Sequence, residues 1–557
     1  MTELSVSSAW SFGFLEGLIS LGVHDIVVSP GSRSQSLSLL AAQLDESRKL
    51  RLHVVLDERA AGFLALGIAS ESGRPVPIVV TSGSSVANLH PAVIEAHHAG
   101  TPLIVVAADR PQTIRASGAN QIANHLTIFG ESVRESWDLA PADDPETAST
   151  KGKRAAHDAV SVSLIRRGPV LVNTQFSEPL SSPIDQAAID PIIQGELPNV
   201  SKSQSSTQVE AGPGIVVVAG FGAGPRAEEW ARQLGAPLFA EVHSGARFGP
   251  HLVANYQEAL DDPDLLEAID TVVVVGRPTL TSKIDSLCNR ENVKLVVVRG
   301  NEFYPYRPNP RAMVVDNITV TGNGDMYAPG WAIPIARKSR MALDTAYAEP
   351  AAGTAGSMAT DHAERADFAR TEADIQREQV TPEMLVRSVW DATWPHDRLF
   401  FGASSMIRIA NGIVPGKPLV VHTNRGLSGI DGTIATAQGV AYASQPIEMA
   451  LVSGVTRVLL GDLAAAYDAS SLGLLKGRIQ VIVANNYGGK IFDELPVKET
   501  ADPEHFERVM RTPQRVAFEA LALAYGVEYL RVRTRGELTE ALTHTATPTL
   551  IEVVLPH

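Results

Sequence analysis

The chain has 557 residues, of which 44% are hydrophobic and 20% are charged. This length predicts three or four domains of about 150 residues each, with enough apolar surface for a core that needs no metal or disulfide support. The single cysteine, Cys288, excludes a disulfide framework and a cysteine-based zinc site. Its helical surroundings favour a packed thiol over a nucleophile. The formal net charge of −15 argues against nonspecific nucleic-acid binding.

The N-terminal stretch MTELSVSSAWSFGFLEGLIS has no basic region before its apolar residues, so we do not expect a signal peptide. No apolar run reaches about 18 residues, the length that a membrane-spanning helix needs. The sequence therefore predicts a cytoplasmic protein without a membrane span.

Helical and strand patterns alternate along three blocks, which predicts an α/β protein with three doubly wound parallel sheets. We place the domains at 1–190, 191–360 and 361–557. A helix is predicted at 9–21, and loose polar linkers at 186–212 and 348–361. The predicted strands are 24–29, 52–56, 77–81, 102–107 and 169–173 in the first block, 215–219, 271–275 and 294–298 in the second, and 399–401, 419–422, 458–460, 479–483 and 549–554 in the third.

The stretch 461–489 carries the strongest chemical signal. It is predicted to form strand, helix and strand, with Asp462 after the first strand and Asn486 after the second, 24 positions later. In an open parallel sheet, ligands bind at the carboxyl ends of the strands. A carboxylate, an amide oxygen and a backbone carbonyl suit Mg²⁺ with coordination positions left for phosphate oxygens. Gly488 and Gly489 allow a diphosphate to approach the backbone closely.

Glu58, in LDERAAGFLALGIA, follows a predicted strand and opens a helix. A partly desolvated carboxylate there suits proton sharing with a ligand. The alternative is a first-turn glutamate that interacts with the helix dipole.

Four arginines near predicted strand ends suggest a substrate with several carboxylates, because guanidinium groups pair with carboxylates in bidentate fashion. Polar neighbours, which include Ser32, strengthen that interpretation. The arginines are Arg33, Arg110, Arg408 and Arg425, and the other polar neighbours are Asn120, Gln121 and Ser404.

Taken together, several stretches resemble one branch of the thiamine-diphosphate enzymes, the 2-succinyl-5-enolpyruvyl-6-hydroxy-3-cyclohexene-1-carboxylate (SEPHCHC) synthase, or MenD, family. They fall in the first and third blocks. They are SPGSRS (29–34), LDERAAGFLALGIA (56–69), TSGSSVANL (81–89), DRP (109–111), GANQ (118–121), FGASSMIR (401–408), TNRGLSGIDGT (423–433), GDL (461–463) and NNYGGKIF (485–492).

This resemblance implies thiamine diphosphate with Mg²⁺ (or Mn²⁺). Glu58 would be the catalytic acid that activates the cofactor, Ile430 would bend it, and a metal would bind Asp462, Asn486 and the Gly488 carbonyl. The other implied cofactor-binding residues are Ser82, Gly83, Gly461, Leu463, Gly489 and Ile491.

The resemblance also implies decarboxylation of 2-oxoglutarate and 1,4-addition of the succinyl-semialdehyde carbanion to isochorismate, in menaquinone biosynthesis. Ser404, Arg408 and Arg425 would hold the unit derived from 2-oxoglutarate, and the two arginines together with Arg33 would be catalytic. Active sites would be shared between subunits of a homodimer or homotetramer. The residues implied for isochorismate are Ser32, Arg33, Arg110, Asn120 and Gln121, with Ile491, Phe492 and Leu495 as an apolar wall and Lys283 as a weaker match.

Other interpretations stay open at this stage. The chief alternative is another thiamine-dependent 2-oxo-acid decarboxylase or carboligase, such as an acetolactate synthase-like enzyme. AGFGAGP (219–225) partly resembles a dinucleotide fingerprint, although the family resemblance implies no flavin. A serine hydrolase is a further alternative, but Gly83-Ser84-Ser85 lacks the second glycine of its nucleophile elbow. The pair His97-His98 could suggest a metal site, but we expect it to be structural because adjacent helical residues face different directions.

A last alternative is a regulatory protein that kept the fold and lost catalysis. The retained Glu58 and Asp462 argue against it. Tyr487 replaces an expected small or polar residue, and we expect its ring to point away from the diphosphate.

Overall fold

The computed structural model describes residues 4–115, 117–199, 205–348, 361–445 and 454–556. These residues form two compact units. The first contains the described residues up to 199 together with 301–304 and 424–445, and the second contains 205–300, 305–423 and 454–556. The boundaries that the sequence suggests for three domains stay a prediction.

The first unit is built on a six-stranded parallel sheet with strand order β2-β1-β3-β4-β6-β5. Its central strands are buried along their whole length and are mainly apolar, apart from polar residues at some strand ends, as expected for a sheet covered on both faces. The strands are β1 (Asp25–Val28), β2 (Arg51–Val54), β3 (Val76–Val80), β4 (Leu103–Asp109), β5 (Ser136–Leu139) and β6 (Val170–Gln175).

Two long helices of the first unit pack unusually closely because both carry glycine at the contact. A Cβ on Gly13 would lie 2.0 Å from the carbonyl oxygen of Ser149, and one on Gly152 would lie 2.3 Å from that of Trp10. The helices of this unit are Val6–Ser20, Gln35–Glu46, Glu58–Ser72, Ser84–Asn88, His90–Ala99, Gln112–Arg115, His125–Ile128, Pro145–Ile165, Gln186–Ile189 and Thr433–Ser444, with a 3₁₀ turn at Gly130–Ser132.

The second unit contains two larger parallel sheets and a two-stranded one. The five-stranded sheet has the order β12-β11-β10-β8-β9, and the small sheet pairs β7 with β13. The six-stranded sheet has the order β15-β14-β16-β17-β19-β18. The strands are β7 (Ser206–Glu210), β8 (Ile215–Ala219), β9 (Leu238–Ala240), β10 (Thr271–Val275), β11 (Lys294–Val298), β12 (Met313–Val315), β13 (Asn317–Thr321), β14 (Arg398–Phe401), β15 (Val420–His422), β16 (Thr456–Gly461), β17 (Ile479–Asn485), β18 (Glu528–Val532) and β19 (Thr549–Val554).

Helices of the second unit cover these sheets. They are Arg226–Leu234, Tyr256–Ala259, Pro263–Ala268, Ser282–Asn289, Ala332–Ala346, His362–Arg377, Pro382–Ala392, Ser405–Ile413, Asp462–Tyr467, Val497–Thr500, Pro503–Phe506, Phe518–Tyr525 and Arg535–Thr543. Shorter 3₁₀ or π turns occur at Gly324–Met326, Ala469–Leu474, Lys490–Glu494 and Glu507–Arg511.

The predicted fold class is confirmed, because all three large sheets are parallel and alternate with helices. Cys288 is buried in the helix Ser282–Asn289, and burial raises the pKa of its thiol to about 12, so it is a packed thiol as predicted. The linker prediction at 186–212 was wrong in part, since that stretch contains the helix Gln186–Ile189 and the strand β7. Most of the second predicted linker lies outside the described residues. None of the described helices is long and apolar enough to span a membrane.

Candidate active site

The predicted metal ligands lie at one edge of the six-stranded sheet of the second unit. Strands β16 and β17 are hydrogen-bonded neighbours, and their register pairs Gly461 with Ala484. Asp462 is the first residue of the helix after β16, and Asn486 directly follows β17. Both side chains therefore emerge at the carboxyl ends of adjacent strands, as the sequence predicts.

Two buried oxygens at this edge have no hydrogen-bond partner among the described residues, namely Oδ2 of Asp462 and Oδ1 of Asn486. Burial raises the pKa of Asp462 to about 6, although the backbone amides of Leu463 and Gly488 oppose the shift. A buried carboxylate and an orphaned amide oxygen are costly without a partner. A hard cation would satisfy both, so the residues present fit a magnesium ion.

Gly488 and Gly461 lie at this edge in different surroundings, and each has a different explanation. A Cβ on Gly488 would lie 2.8 Å from the carbonyl oxygen of Arg511, whose position the backbone amide of Gly489 also fixes through a 2.7 Å hydrogen bond. Gly488 is thus required by the protein's own backbone, which the sequence interpretation did not anticipate. Beside Gly461, in contrast, the nearest atom to a Cβ is Cβ of Ser404 at 3.9 Å. This leaves open space where a diphosphate would bind.

The other predicted residues of the second unit are placed as follows. Ser404 caps the helix Ser405–Ile413, where its hydroxyl accepts a 3.2 Å hydrogen bond from the amide of Met406. On that helix the guanidinium of Arg408 lies 3.6 Å from Glu494, and both side chains are largely exposed. Leu463 follows Asp462 in its helix, and the predicted apolar wall lies in or beside the 3₁₀ turn Lys490–Glu494, which contains Ile491 and Phe492 and is followed by Leu495.

Lys283 is already engaged by its own unit. Its ammonium group lies 2.5 and 2.6 Å from the two carboxylate oxygens of Asp261 and donates to the carbonyl of Gln257. The predicted substrate contact requires these bonds to break, and it stays a prediction.

Glu58 lies in the first unit at the start of the helix Glu58–Ser72, as predicted. Asp57 caps this helix by accepting hydrogen bonds from the amides of Arg59 and Ala60. Because Asp57 performs the capping, the half-buried carboxylate of Glu58 is available for another role. It accepts one 3.2 Å hydrogen bond from the side chain of Asn88.

The structure brings together Arg33, Arg110 and Asn120. Arg33 follows β1 and donates to the carbonyl of Phe176, while Arg110 follows β4 and donates to both the backbone and side-chain oxygens of Asn120. Burial and then the positive charge of Arg110 lower the pKa of Arg33. Neither arginine forms an ion pair with any residue that the structure describes. Ser32, beside Arg33, is exposed.

Nearby carboxylates are occupied by a different arginine. Arg115 donates to both oxygens of Asp138 at 2.7 and 2.8 Å and lies 2.8 Å from Asp109. The Arg115 hydrogen bonds lower the pKa of Asp138 to about 2. The guanidinium groups of Arg33 and Arg110 form no ion pair with these two carboxylates, although the negative charge of Asp109 acts on Arg33 from a greater distance.

His125 is a functional candidate that the sequence interpretation missed, since no motif marks it. The amide of Gly83 donates a 3.0 Å hydrogen bond to Nε2 of His125, and Nδ1 lies 2.9 Å from the side-chain oxygen of Asn173. Because Nε2 accepts, Nδ1 carries the proton and donates. The imidazole thus holds the turn of Ser82 and Gly83, where Gly83 has φ +91° and a Cβ on it would lie 3.4 Å from Cα of Gln121.

The segment 424–432 carries Arg425 and Ile430 and belongs to the first unit. Its following helix, Thr433–Ser444, packs on the helix that starts at Glu58. A Cβ on Gly67 would lie 1.9 Å from the carbonyl oxygen of Thr436. Glu58, Arg425 and Ile430 are therefore carried by two helices in direct contact and the segment beside them.

Three weaker sequence signals have structural explanations or stay open. His97 is buried, its Nδ1 accepts from Arg134, and burial together with that arginine lowers its pKa to about 4, which confirms a structural role. A Cβ on Gly220 would lie 2.3 Å from the backbone of Arg277, which explains this glycine without a nucleotide. Tyr487 adopts φ +61°, and the direction of its ring stays a prediction.

Comparison with known proteins assigns the chain to a family. The family model described as thiamine pyrophosphate enzyme, N-terminal TPP binding domain, matches residues 11–128. Proteins named 2-succinyl-5-enolpyruvyl-6-hydroxy-3-cyclohexene-1-carboxylate synthase are 44% identical in Leifsonia xyli and in Clavibacter michiganensis and 38% identical in Kineococcus radiotolerans. The matches cover 96–98% of this chain and 94–95% of the relatives.

The chain belongs to the SEPHCHC synthase family.

Membership of the SEPHCHC synthase family makes the chain an enzyme that uses thiamine diphosphate, as the resemblance implied. A crystal structure of benzoylformate decarboxylase from Polynucleobacter necessarius aligns over 98% of both chains with a TM-score of 0.64 and 16% identity. That similarity supports the fold alone. The predicted site residues are divided between the two units, with Asp462, Asn486 and Arg408 in the second and Glu58, Arg33 and Arg425 in the first.

Proposed function

We propose that the enzyme decarboxylates 2-oxoglutarate and adds the remaining four-carbon unit, in a 1,4 sense, to the ring of isochorismate. The product would be 2-succinyl-5-enolpyruvyl-6-hydroxy-3-cyclohexene-1-carboxylate, the compound in the names of the relatives. When bound, thiamine diphosphate supplies the nucleophilic carbon and the electron sink for decarboxylation.

The pair of Arg33 and Arg110 is the observation that carries this proposal. Two guanidinium groups lie close enough to repel each other, and neither forms an ion pair within the described residues, although the charges of Glu178 and Asp109 partly offset the repulsion at Arg33. An acceptor with two carboxylates would relieve this repulsion and gain bidentate hydrogen bonds. Isochorismate is such a dicarboxylate, whereas a small mono-acid would leave one arginine unpaired.

Different residues of the chain would bind the two substrates. Ser404, Arg408 and Arg425 bind the carboxylate of the 2-oxoglutarate unit. Ser32, Asn120 and Gln121 orient isochorismate beside the arginine pair, which contributes mainly through proximity. The apolar wall of Ile491, Phe492 and Leu495 completes the acceptor site, and Lys283 joins it if its ammonium group is released from Asp261.

Glu58 has its carboxylate at the start of its helix, where it would bind the pyrimidine ring of the cofactor and could share a proton with it. Ser82, Gly83, Gly461, Leu463, Gly489 and Ile430 shape the cofactor site. Asp462, Asn486 and the carbonyl of Gly488 would hold Mg²⁺ or Mn²⁺. We further propose a cytoplasmic homodimer or homotetramer whose active sites are shared between subunits.

The direct test mixes the purified protein with thiamine diphosphate, Mg²⁺, 2-oxoglutarate and isochorismate and follows the loss of isochorismate absorbance. Loss that requires all four additions supports the proposal. Arg33→Ala should then raise the KM for isochorismate at least about tenfold, because a charge-assisted pair is lost. Arg154→Ala, on an exposed arginine of the same unit, is the matched control.

A different 2-oxo-acid decarboxylase or carboligase is the second candidate, because the matched family model describes only binding of the cofactor and names no substrate. Release of carbon dioxide from another 2-oxo acid, without consumption of isochorismate, would favour it. The same assay therefore separates the two candidates.

A further inference from the structure

Glu95 is a buried carboxylate in the first unit that none of the roles above uses. It lies on the helix His90–Ala99 and is only 4% exposed. Its Oε1 accepts a 2.6 Å hydrogen bond from the amide of Gly426, and its Oε2 accepts a 2.7 Å hydrogen bond from the amide of Leu427. Glu95 and Gly426 are 331 positions apart in the chain. One side chain thus holds two successive amides of a distant segment.

The contact between Glu95 and Gly426 leaves no space for a side chain at position 426. A Cβ on Gly426 would lie 2.6 Å from the backbone carbonyl oxygen of Glu95 and 2.7 Å from its Oε1. The segment therefore touches the helix backbone itself as well as the carboxylate. A glycine is needed at 426 because of this close approach.

The far end of the segment is fixed separately. Gly432 has φ +55°, and a Cβ there would lie 1.9 Å from the ring of Phe63. At the start of the segment, the side chain of Asn424 donates to the hydroxyl of Thr436 at 3.1 Å. Of the two predicted site residues on the segment, Arg425 directly precedes the Glu95 anchor, whereas Ile430 lies close to the Gly432 end.

We propose that Glu95 is a positioning residue that sets the direction of Arg425 and thereby the affinity for 2-oxoglutarate. This inference rests on the proposed function, in which Arg425 binds the carboxylate of that substrate. The two hydrogen bonds from the backbone amides of Gly426 and Leu427 fix the backbone directly after Arg425. The Cα–Cβ bond of Arg425 therefore has a defined direction, which limits where its guanidinium can lie. A carboxylate is required because both of its oxygens accept, whereas an amide side chain offers one acceptor and turns a donor toward the second amide.

The test compares Glu95→Gln with the wild-type enzyme. We expect the KM for 2-oxoglutarate to rise about tenfold or more, since one amide keeps only a neutral acceptor and the other faces a donor. The kcat and the KM for isochorismate should change less than about threefold. Hydrogen exchange followed by mass spectrometry should show faster exchange in peptides that cover 424–432, in protein without substrates.

Asp397→Asn is a matched control for loss of stability. Asp397 is also a buried carboxylate that accepts from a backbone amide, that of Val455 at 2.7 Å, and it pairs with Arg457. Asp397 precedes β14 and so lies at the amino ends of the strands, whereas Asp462 lies at their carboxyl ends. This control should lower the stability and leave the KM for 2-oxoglutarate unchanged.

The outcomes are distinguishable. An unchanged KM for 2-oxoglutarate in Glu95→Gln, or an equal rise in both KM values that Asp397→Asn reproduces, overturns the inference while the proposed function stands. A wild-type enzyme that does not consume 2-oxoglutarate refutes the proposed function and the inference with it. If Glu95→Gln does not fold, Glu95→Asp is measured in the same way. It keeps two acceptor oxygens on a shorter side chain, and an unchanged KM with unchanged exchange in that variant also overturns the inference.

Discussion

Asp462 and Asn486 stand at the carboxyl ends of two hydrogen-bonded strands, and each keeps one buried side-chain oxygen that no described residue satisfies. Between them they offer a negative and a neutral oxygen ligand on a rigid edge. This relationship supports a divalent-cation site and leads to the first two predictions.

Removal of the metal should abolish activity, and Mg²⁺ should restore it. In Asp462→Asn we expect the Mg²⁺ concentration for half-maximal activity to rise about 100-fold or more, because a charged ligand becomes neutral. The measurement is a Mg²⁺ titration of activity and of thiamine-diphosphate binding in protein treated with EDTA. Asp374→Asn, on a side chain that is 76% exposed, is the control. A variant that needs no more Mg²⁺ than the wild type would contradict the assignment of Asp462.

The same carboxylate should make the stability of the metal-free protein depend on pH. Burial raises the pKa of Asp462 from 3.8 to about 6. Between these values the folded protein holds a proton that the unfolded chain releases, so the free energy of unfolding falls as the pH rises through this interval. Asp462→Asn should therefore be more stable than the wild type by about 1–3 kcal/mol at pH 7 and should lose that advantage near pH 4. Denaturant unfolding in EDTA across pH 4–8 measures the difference, and parallel curves for the two proteins would disprove the prediction.

Glu58→Gln should remove most of the activity and spare the fold. Asp57 caps the helix, so the change at Glu58 leaves the capping hydrogen bonds intact. The amide cannot exchange a proton as the carboxylate does, and we expect kcat to fall about 100-fold or more. Circular dichroism and thermal unfolding check the fold, and Glu46→Gln, on an exposed glutamate of the same unit, is the control. Normal turnover in Glu58→Gln would refute the assigned role.

His125→Ala should weaken thiamine-diphosphate binding about tenfold, because the amide of Gly83 then lacks an acceptor and the turn of Ser82 and Gly83 loses its support. His125→Gln can retain both an acceptor and a donor and should recover part of the affinity. Titration calorimetry with the cofactor and Mg²⁺ measures the effect. His157→Ala, on a largely exposed histidine, is the control, and equal cofactor affinity in His125→Ala would show that the turn does not depend on the imidazole.

Central strands of the three large sheets could be predicted from the sequence, whereas only two of their six edge strands, β2 and β15, were predicted. The predicted strands 215–219, 271–275, 294–298 and 549–554 agree with β8, β10, β11 and β19 residue for residue. These strands are rich in β-branched residues and are buried along most of their length. The strands β5, β9, β12 and β18, which had not been predicted, all lie at sheet edges. An edge strand pairs on one side only and is often short or polar, so its sequence carries a weak signal.

By itself, the sequence determined the parallel α/β class, the placement of Asp462 and Asn486 at one sheet edge, and the position of Glu58 at a helix start. These features depend on local periodicity and on the rule that parallel strands end at a common edge. Only the tertiary structure decided that the segment 424–432 joins the first unit, that Glu95 holds it, and that His125 supports Gly83. Such contacts join residues far apart in the chain through hydrogen bonds to backbone amides, and a backbone amide has no sequence signature.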